Sequence, residues 1–330
     1  MDHINLEIFR AVASELSITR AAKRLGRVPS NVTTRIQQLE AELGVELFVR
    51  DGNRLTLSTE GHRFVGYANR LIALADEARQ VLKPETPSGM LRVGAMDSTA
   101  ATRLPGPLAR FHAAWPTVQL QITTDTSRGL IESVRSGLVD CAIAALPPCG
   151  DLASAADLDA IGLHAERVFK EALVIIAPPG HHPVRKPGDI GLRSLAAFAP
   201  GCSYRALIED WLGESAPGLV IQEVGSYHAM LACVASGMSF SLVPRAVLDL
   251  LRDPPEFQIH PVARVDTWLI RRNGFDTAAF TAWRETLLST IAAQPEAEHS
   301  AQALPADASD ARDASRTPRA PRASLKRPAA

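Results

Sequence analysis

The chain has 330 residues, 46% of them hydrophobic and 22% charged, which fits a globular protein and excludes a wholly disordered or fibrous one. This length exceeds what one ordinary core supports, so two or three domains are expected. Lys and Arg total 35 against 36 Asp and Glu, a net charge of −1, so any surface for nucleic acid must be a local patch.

Neither a membrane span nor a metal site is expected. No apolar run reaches the roughly 18–20 residues that a span needs, and residues 1–5 lack the basic and apolar regions of a signal peptide. The four cysteines are widely spaced and form no C-x-x-C pair. We therefore expect a cytoplasmic protein with no membrane partner, no disulfide, no metal and no cofactor.

Three short amphipathic helices are predicted at the N-terminus. Ser17 is placed to cap the second helix and Gly26 to end it. Pro29 suits the first turn of the third helix, which Gly44 closes. Two short helices joined by a tight turn after a supporting helix make a helix-turn-helix. The apolar face of the first helix consists of Leu6, Phe9, Val12, Ala13 and Leu16.

Charge indicates what this helix-turn-helix binds. No acidic residue occurs between Glu15 and Glu40, where five Arg and Lys residues do. Arginines can hold phosphates while short polar side chains of the third helix reach base edges, although an ordinary solvated face is the alternative. Residues 47–57 predict a hairpin placed as a wing. The residues expected to contact DNA are Arg20, Arg27, Ser30, Asn31, Thr33, Thr34, Arg35, Gln38, Arg50 and Arg54.

A long fourth helix is predicted to start at a cap on Ser58 or Thr59 and to reach about Lys83. Apolar side chains recur along it at alternating spacings of four and three residues, the heptad pattern of a coiled coil. We expect it to pair with a second copy of the chain, and packing against its own domain is the alternative. The predicted dimer seam is Phe64, Ala68, Leu71, Ala75, Ala78 and Leu82.

Composition divides the chain into a winged helix-turn-helix at residues 1–58, a linker helix at 59–83 and a Pro- and Gly-containing hinge at 84–89. Apolar runs alternate with helical patterns over residues 90–292, which predicts an α/β domain with a mostly parallel sheet. Its first lobe is expected at about 90–163 and 267–292, and its second at about 164–266. Residues 293–330 are expected to be a disordered tail, whose basic end is either a DNA tether or a solvated segment.

The N-terminal residues resemble those of LysR-type transcriptional regulators. The similarity lies in residues 17–22 (SITRAA), 33–40 (TTRIQQLE), 43–50 (LGVELFVR) and 57–61 (LSTEG). It implies an α-rich winged helix-turn-helix followed by a two-lobed α/β effector domain like a periplasmic binding protein. It also implies a homodimer, often assembled into a tetramer, that binds operator DNA and a small-molecule effector, and it allows a contact with RNA polymerase.

Pro29 departs from the family pattern, which often has a DNA-contacting glutamine at this position. The expected base contacts therefore shift to the residues that follow Pro29, within 30–35. A narrower similarity, in residues 29–35, 201–205 and 226–228, links the chain to a branch that contains a putrescine-utilisation regulator.

Polar residues in loops that follow predicted strands are candidate effector ligands, because ligands bind at the carboxyl ends of parallel strands, where helix N-termini present N–H groups. Each hydroxyl could equally be a simple helix cap. Asp97 could receive an amine of the effector or merely belong to a turn. The resemblance implies contacts at residues 98–99, near 126 and at 201–204. The predicted ligands are Ser98, Thr99, Thr126, Cys202, Ser203, Tyr204 and Ser226.

These features predict a DNA-binding transcriptional regulator controlled by a small-molecule effector. We do not expect an enzyme, since the sequence has no nucleophile elbow, phosphate-binding loop or dinucleotide fingerprint. One alternative is a soluble solute-binding protein or enzyme built on the same lobes. Another is an architectural DNA binder with a vestigial sensor lobe.

Overall fold

The computed structural model describes residues 1–52, 54–82 and 86–293, so the predicted tail beyond residue 293 lies outside the described residues, as does part of the predicted hinge. The N-terminal part is a helix-turn-helix followed by a hairpin and one long helix. These elements are α1 (His3–Glu15), α2 (Ile18–Arg24), α3 (Pro29–Leu43), β1 (Phe48–Asp51), β2 (Arg54–Leu57) and α4 (Thr59–Val81).

Local signals fix the ends of these helices. The Ser17 hydroxyl accepts a hydrogen bond from the N–H of Arg20 at 3.3 Å and caps α2. Gly44 ends α3 with a φ of 70°, a conformation that glycine adopts without strain. Leu16 differs from the prediction, because it is the C-cap of α1 with a φ of 45° and is 44% exposed.

The N-terminal helices, the hairpin and the first half of α4 enclose one core. Phe9 lies at its centre, with its ring 5.5 Å from the ring of Phe48 and 5.0 Å from that of Phe64. Glu40 of α3 accepts hydrogen bonds from the N–H groups of Leu47 at 2.7 Å and Phe48 at 3.1 Å. The side chain of Glu40 therefore fixes the hairpin to α3.

The first lobe of the α/β domain begins with three strands and their helices. They are β3 (Gly89–Ala95), α5 (Asp97–Thr102), α6 (Pro105–Ala114), β4 (Val118–Thr124), α7 (Ser127–Arg135), β5 (Cys141–Ala145) and α8 (Ala155–Ala160).

Two long strands frame the second lobe, and a last helix returns to the first. These elements are β6 (Leu163–Ala177), β7 (Ser194–Ala197), α9 (Ser203–Leu212), β8 (Val220–Glu223), α10 (Tyr227–Ala235), β9 (Ser241–Pro244), α11 (Arg245–Leu248), β10 (Gln258–Arg272) and α12 (Ala278–Ala293). Short 3₁₀ turns lie at Pro187–Asp189 and Gly213–Ser215.

The main sheet is mixed, so the prediction of a mostly parallel sheet is wrong. Its strand order is β4-β3-β5-β10-β6-β9. β3 pairs in parallel with β4 and β5, whereas β10 is antiparallel to both β5 and β6. The reason is that β6 and β10 each run through both lobes in opposite directions, with the ladder irregular between Thr267 and Trp268.

Part of α4 packs against the first lobe at a junction of charged side chains. Arg92 donates to Asp76 of α4 at 2.8 Å and lies 3.6 Å from Asp140. Arg272 lies 3.7 Å from Glu77 of α4. Within the described ranges, no helix is long and apolar enough to cross a membrane.

Candidate DNA interface and effector cleft

The turn and third helix of the helix-turn-helix present an exposed polar face. Arg27, Ser30, Thr34 and Gln38 are exposed on it. Thr33 and Thr34 each donate a hydrogen bond to a backbone carbonyl one turn earlier, both at 3.0 Å, which fixes the direction of their hydroxyl groups.

Two of the predicted DNA-contacting arginines have partners within the chain. Arg20 lies 3.3 Å from Glu15, and Arg35 lies 3.5 Å from Asp2 at the start of α1. Arg35 also donates to Asn5 at 3.4 Å. Since partly exposed pairs contribute only about 0–1 kcal/mol, both side chains can leave these partners for a phosphate.

The other predicted contacts lie on the hairpin and inside the turn. Arg50 of β1 and Arg54 of β2 are both exposed. Asn31 is half-buried, and its amide oxygen has no hydrogen-bond partner. Seven of the ten predicted residues are therefore exposed on α2, α3, the turn between them and the hairpin, whereas Asn31, Thr33 and Arg35 are half-buried.

The long helix α4 carries two apolar stripes rather than one. Phe64 and Ala68 pack inside their own domain, where Ala68 is fully buried, so they do not belong to an exposed dimer seam as predicted. The exposed stripe begins at Tyr67, three residues after the start of the predicted seam at Phe64. It shares only Leu71, Ala78 and Leu82 with the predicted seam, whose Ala75 is half-buried. It consists of Tyr67, Leu71, Leu74, Ala78, Val81 and Leu82.

A cavity of about 220 Å³ lies between the two lobes. Two hydrogen bonds join the lobes beside it: the N–H of Arg128 donates to the Gly201 carbonyl at 3.1 Å, and the Ser203 hydroxyl donates to the Ala145 carbonyl at 2.8 Å. The cavity is lined by Met96, Asp97, Ser98, Thr124, Asp125, Thr126, Ser127, Phe198, Cys202, Tyr204, Gly225 and Tyr227.

Four of the seven predicted effector ligands, Ser98, Thr126, Cys202 and Tyr204, are in this lining. The other three are Thr99, Ser203 and Ser226, and they do not line the cavity. Thr99 is fully buried, and the Ser203 hydroxyl is bonded to a carbonyl. Ser226 caps α10 by accepting from the N–H of Ala229 at 3.2 Å, which is the role that the cap alternative predicts.

Sequence reasoning missed the aromatic wall of the cavity. The rings of Phe198 and Tyr227 meet edge to face, with centroids 4.9 Å apart. Phe198 directly follows β7, and Tyr227 is the first residue of α10. Asp125, also missed, directly follows β4, and that position at a strand end is the one signal that could have found it.

The two phenols in the cavity are neutral. Burial raises the pKa of Tyr204 and of Tyr227 well above the ordinary value, and the nearby carboxylate of Glu171 raises both further. Ser98 lies beside both phenols, yet the hydroxyl of Tyr204 has no well-formed hydrogen bond. Glu171 itself is held by Arg103 through two bonds of 2.8 and 2.9 Å.

The thiol of Cys202 is not set up as a nucleophile. Burial raises its pKa, although the backbone N–H groups of Tyr204 and Arg205 oppose the rise. A protonated thiol is a poor nucleophile, so the structure supports a packing role for this side chain. Across the part of the chain that the structure describes, no group of three or more His, Cys, Asp or Glu side chains is placed to hold a metal ion.

Comparison with known proteins identifies the two halves of the chain. Residues 4–62 match the bacterial regulatory helix-turn-helix protein of the lysR family, and residues 84–292 match the LysR substrate binding domain. The chain is 32% identical to YusT, an uncharacterized HTH-type transcriptional regulator of Bacillus subtilis, over 90% of this chain and 98% of that protein. It is 31% identical to the HTH-type transcriptional regulator GltR of Bacillus subtilis, over 81% and 89% of the two chains.

Solved structures share the fold. A full-length OxyR variant from Pseudomonas aeruginosa matches with a TM-score of 0.63 and 22% identity, over 92% of this chain and 99% of that one. Full-length CbnR complexed with its target DNA matches with a TM-score of 0.59 and 22% identity, over 88% and 100%. The narrower similarity to a putrescine-utilisation branch is not tested by these relatives and stays a prediction. The chain belongs to the LysR family of DNA-binding transcriptional regulators, with a substrate-binding effector domain.

Proposed function

We propose that this regulator binds its operator as a dimer through α2, α3 and the β1–β2 hairpin, and that an effector in the cleft between the lobes controls that binding. The observation that carries the proposal is the exposed face of α2 and α3, with basic and polar side chains and no acidic residue between Glu15 and Glu40. Such a face fits the phosphates and base edges of duplex DNA.

In this proposal the side chains on α3 reach the major groove, and the arginines bind the backbone. Ser30, Thr34 and Gln38 are the exposed residues of α3 that we expect nearest to base edges. Arg50 and Arg54 of the hairpin are expected at phosphates beside the groove.

The exposed stripe on α4 favours a dimer. Five of its six side chains are large and hydrophobic, and Leu74 alone is 61% exposed. Apolar residues repeating every four and three positions pack well against the same stripe of a second chain. A tetramer and a contact with RNA polymerase belong to this proposal through the family resemblance, as does a location in the cytoplasm, where the operator is.

The cleft is the proposed effector site because its lining comes from both lobes. A ligand there touches Ser98 and Thr126 of the first lobe and Tyr204 of the second. Such a ligand favours one arrangement of the lobes over others, which is the difference in affinity that a regulatory response requires.

The test is a gel shift with the full-length protein on the DNA that flanks its own gene, repeated over a series of salt concentrations. Each phosphate contact is expected to contribute a slope of about −0.9 in log K against log salt. Arg50→Ala and Arg54→Ala should each reduce that slope by about one contact, since both side chains are exposed on the wing.

Arg252→Ala is the matched control, because it removes an exposed arginine from the second lobe. A slope near zero for the unmodified protein contradicts DNA binding by this face. Wing variants that behave like Arg252→Ala contradict the assignment of the hairpin to the backbone.

A further inference from the structure

Among the four helices described at the N-terminus, three begin with a capping side chain and α3 does not. Asp2, Ser17 and Ser58 each accept a hydrogen bond from a backbone N–H of the helix that follows, at 2.6, 3.3 and 2.8 Å. Val28 is the N-cap of α3, and its hydrocarbon side chain makes no such bond. Ser, Thr, Asp and Asn stabilise a helix from this position, which a valine side chain cannot do.

The Val28 side chain is mostly exposed to solvent. It is 64% exposed, whereas Val32, one turn later, is fully buried in the N-terminal core. The backbone of Val28 is nevertheless fixed, since its carbonyl accepts hydrogen bonds from the N–H groups of Asn31 at 3.1 Å and Val32 at 3.3 Å. The structure thus holds an isopropyl group in a defined place at the tip of α3.

This group lies within the proposed DNA interface. Lys23 and Arg27 precede it, Ser30 and Thr34 follow it, and all four are exposed. In a helix-turn-helix, the first residues of the second helix contact base edges in the major groove. Val28 is therefore an apolar group in a charged and polar face that we expect to meet DNA.

The major groove offers one apolar group for such a side chain to contact. That group is the C5-methyl group of thymine, and the other groups that the base edges display there are hydrogen-bond donors and acceptors. The side chains of Val28 and of its exposed neighbour Pro29 can neither donate nor accept a hydrogen bond. The tip of α3 can therefore use these side chains to distinguish bases only by apolar contact.

We propose that Val28 determines part of the operator specificity by packing against the C5-methyl group of one thymine in each half-site. The inference rests on the proposed function, because it requires that α3 enters the major groove. Val28 is not among the ten residues that the sequence predicts to contact DNA, and its contact with the base is apolar where theirs are polar.

The experiment replaces thymine by uracil, which keeps the base pair and lacks only the methyl group. The DNA that flanks the protein's own gene is prepared with uracil scattered in place of thymine, and a gel shift with the full-length protein separates bound from free DNA. Cleavage at uracil then maps the positions, and we expect one thymine per half-site to be required for binding. A duplex with uracil at that position alone should bind about fourfold more weakly per half-site, the effect of one buried methyl group.

Val28→Ser tests whether this side chain is responsible. Serine removes the isopropyl group and can cap α3, so the fold is preserved, and thermal unfolding checks this. We expect the variant to bind the thymine and the uracil operators equally well. Its salt slope should equal that of the unmodified protein, because no phosphate contact is lost.

Val220→Ser is the matched control, because Val220 is 63% exposed and lies on β8 of the second lobe. This variant should keep the full preference for thymine. If the preference also persists in Val28→Ser, the proposal is overturned, since another side chain must then contact the methyl group. An unmodified protein that tolerates uracil at every position overturns it as well.

Failure of this inference can be told from failure of the proposed function. A steep salt slope without any preference for thymine leaves DNA binding by this face intact and removes only the role of Val28. A slope near zero for the unmodified protein contradicts the proposed function, and the role of Val28 falls with it.

Discussion

Two glycines of α4 differ in what surrounds them. A Cβ at Gly61 would collide with the backbone oxygen of Leu47, whereas a Cβ at Gly66 would meet nothing within 4 Å. Gly61→Ala should therefore destabilise the protein by about 1–3 kcal/mol, since a backbone atom must move. Gly66→Ala should be neutral or stabilising by up to about 1 kcal/mol, because alanine favours the helix.

Thermal unfolding of the two variants beside the unmodified protein checks this. Both carry the same chemical change in the same helix, so the difference between them isolates the close approach of Gly61 to the hairpin. Equal melting temperatures for the two variants would contradict the tight packing at Leu47.

At the residue scale, the sequence could predict helix caps but only part of the cleft. Ser17, Gly44 and Ser58 act through neighbours within a few positions, so a local pattern is enough to identify them. Phe198 and Tyr227 come from separate elements, and only the tertiary arrangement brings their rings together. The polar half of the cavity was therefore predictable from strand ends, and its aromatic half was not.

At the element scale, the sequence could predict that strands exist but not how they pair. An apolar run such as that in β6 reads the same in a parallel and in an antiparallel sheet. The sequence of α4 is ambiguous in another way. Apolar residues repeat at spacings of four and three both from Phe64 and from Tyr67, so the sequence does not show which stripe is exposed. Burial of Ala68 in the N-terminal core decides between them.

The exposed stripe of α4 allows a test of the dimer. Leu74→Asp places a charge where we propose that two apolar stripes meet, which should weaken association by at least about 2 kcal/mol. Sedimentation velocity over a range of concentrations measures the shift, which corresponds to more than tenfold in the dissociation constant.

His62→Asp is the control, because it adds a negative charge to an exposed position of α4 outside the stripe. An unchanged oligomer in Leu74→Asp would show that this stripe is not the dimer contact. A matching loss in His62→Asp would show that helix charge, and not the stripe, is responsible.

At the scale of the whole molecule, one junction connects the DNA-binding half with the sensor. Arg92 is only 17% exposed and bonds to Asp76 of α4, while a Cβ at Gly137 would lie 2.8 Å from that of Ala73. Arg10 of α1 has a lowered pKa, caused by burial and by the nearby positive charge of Arg92. Movement of the first lobe therefore cannot leave α4 and α1 unaffected.

A double-mutant cycle tests this coupling. Asp76→Asn and Arg92→Gln, alone and combined, should give a coupling energy of about 1 kcal/mol or more, because the pair is partly buried. The same cycle at Arg245 and Asp249, an exposed pair within one helical turn, should give only about 0.3–0.5 kcal/mol. Thermal unfolding of each variant supplies the energies, and equal coupling at both pairs would contradict a special role for the junction.

The two long strands that cross both lobes restrict where the sequence can tolerate insertions and deletions. Because successive side chains of a strand point to opposite faces, losing one residue near Glu171 would turn every later side chain of β6 to the wrong face. β10 would have to lose a matching residue to keep its pairing with β6. Insertions and deletions should therefore collect in exposed loops such as residues 252–256, while the lengths of β6 and β10 can change only together.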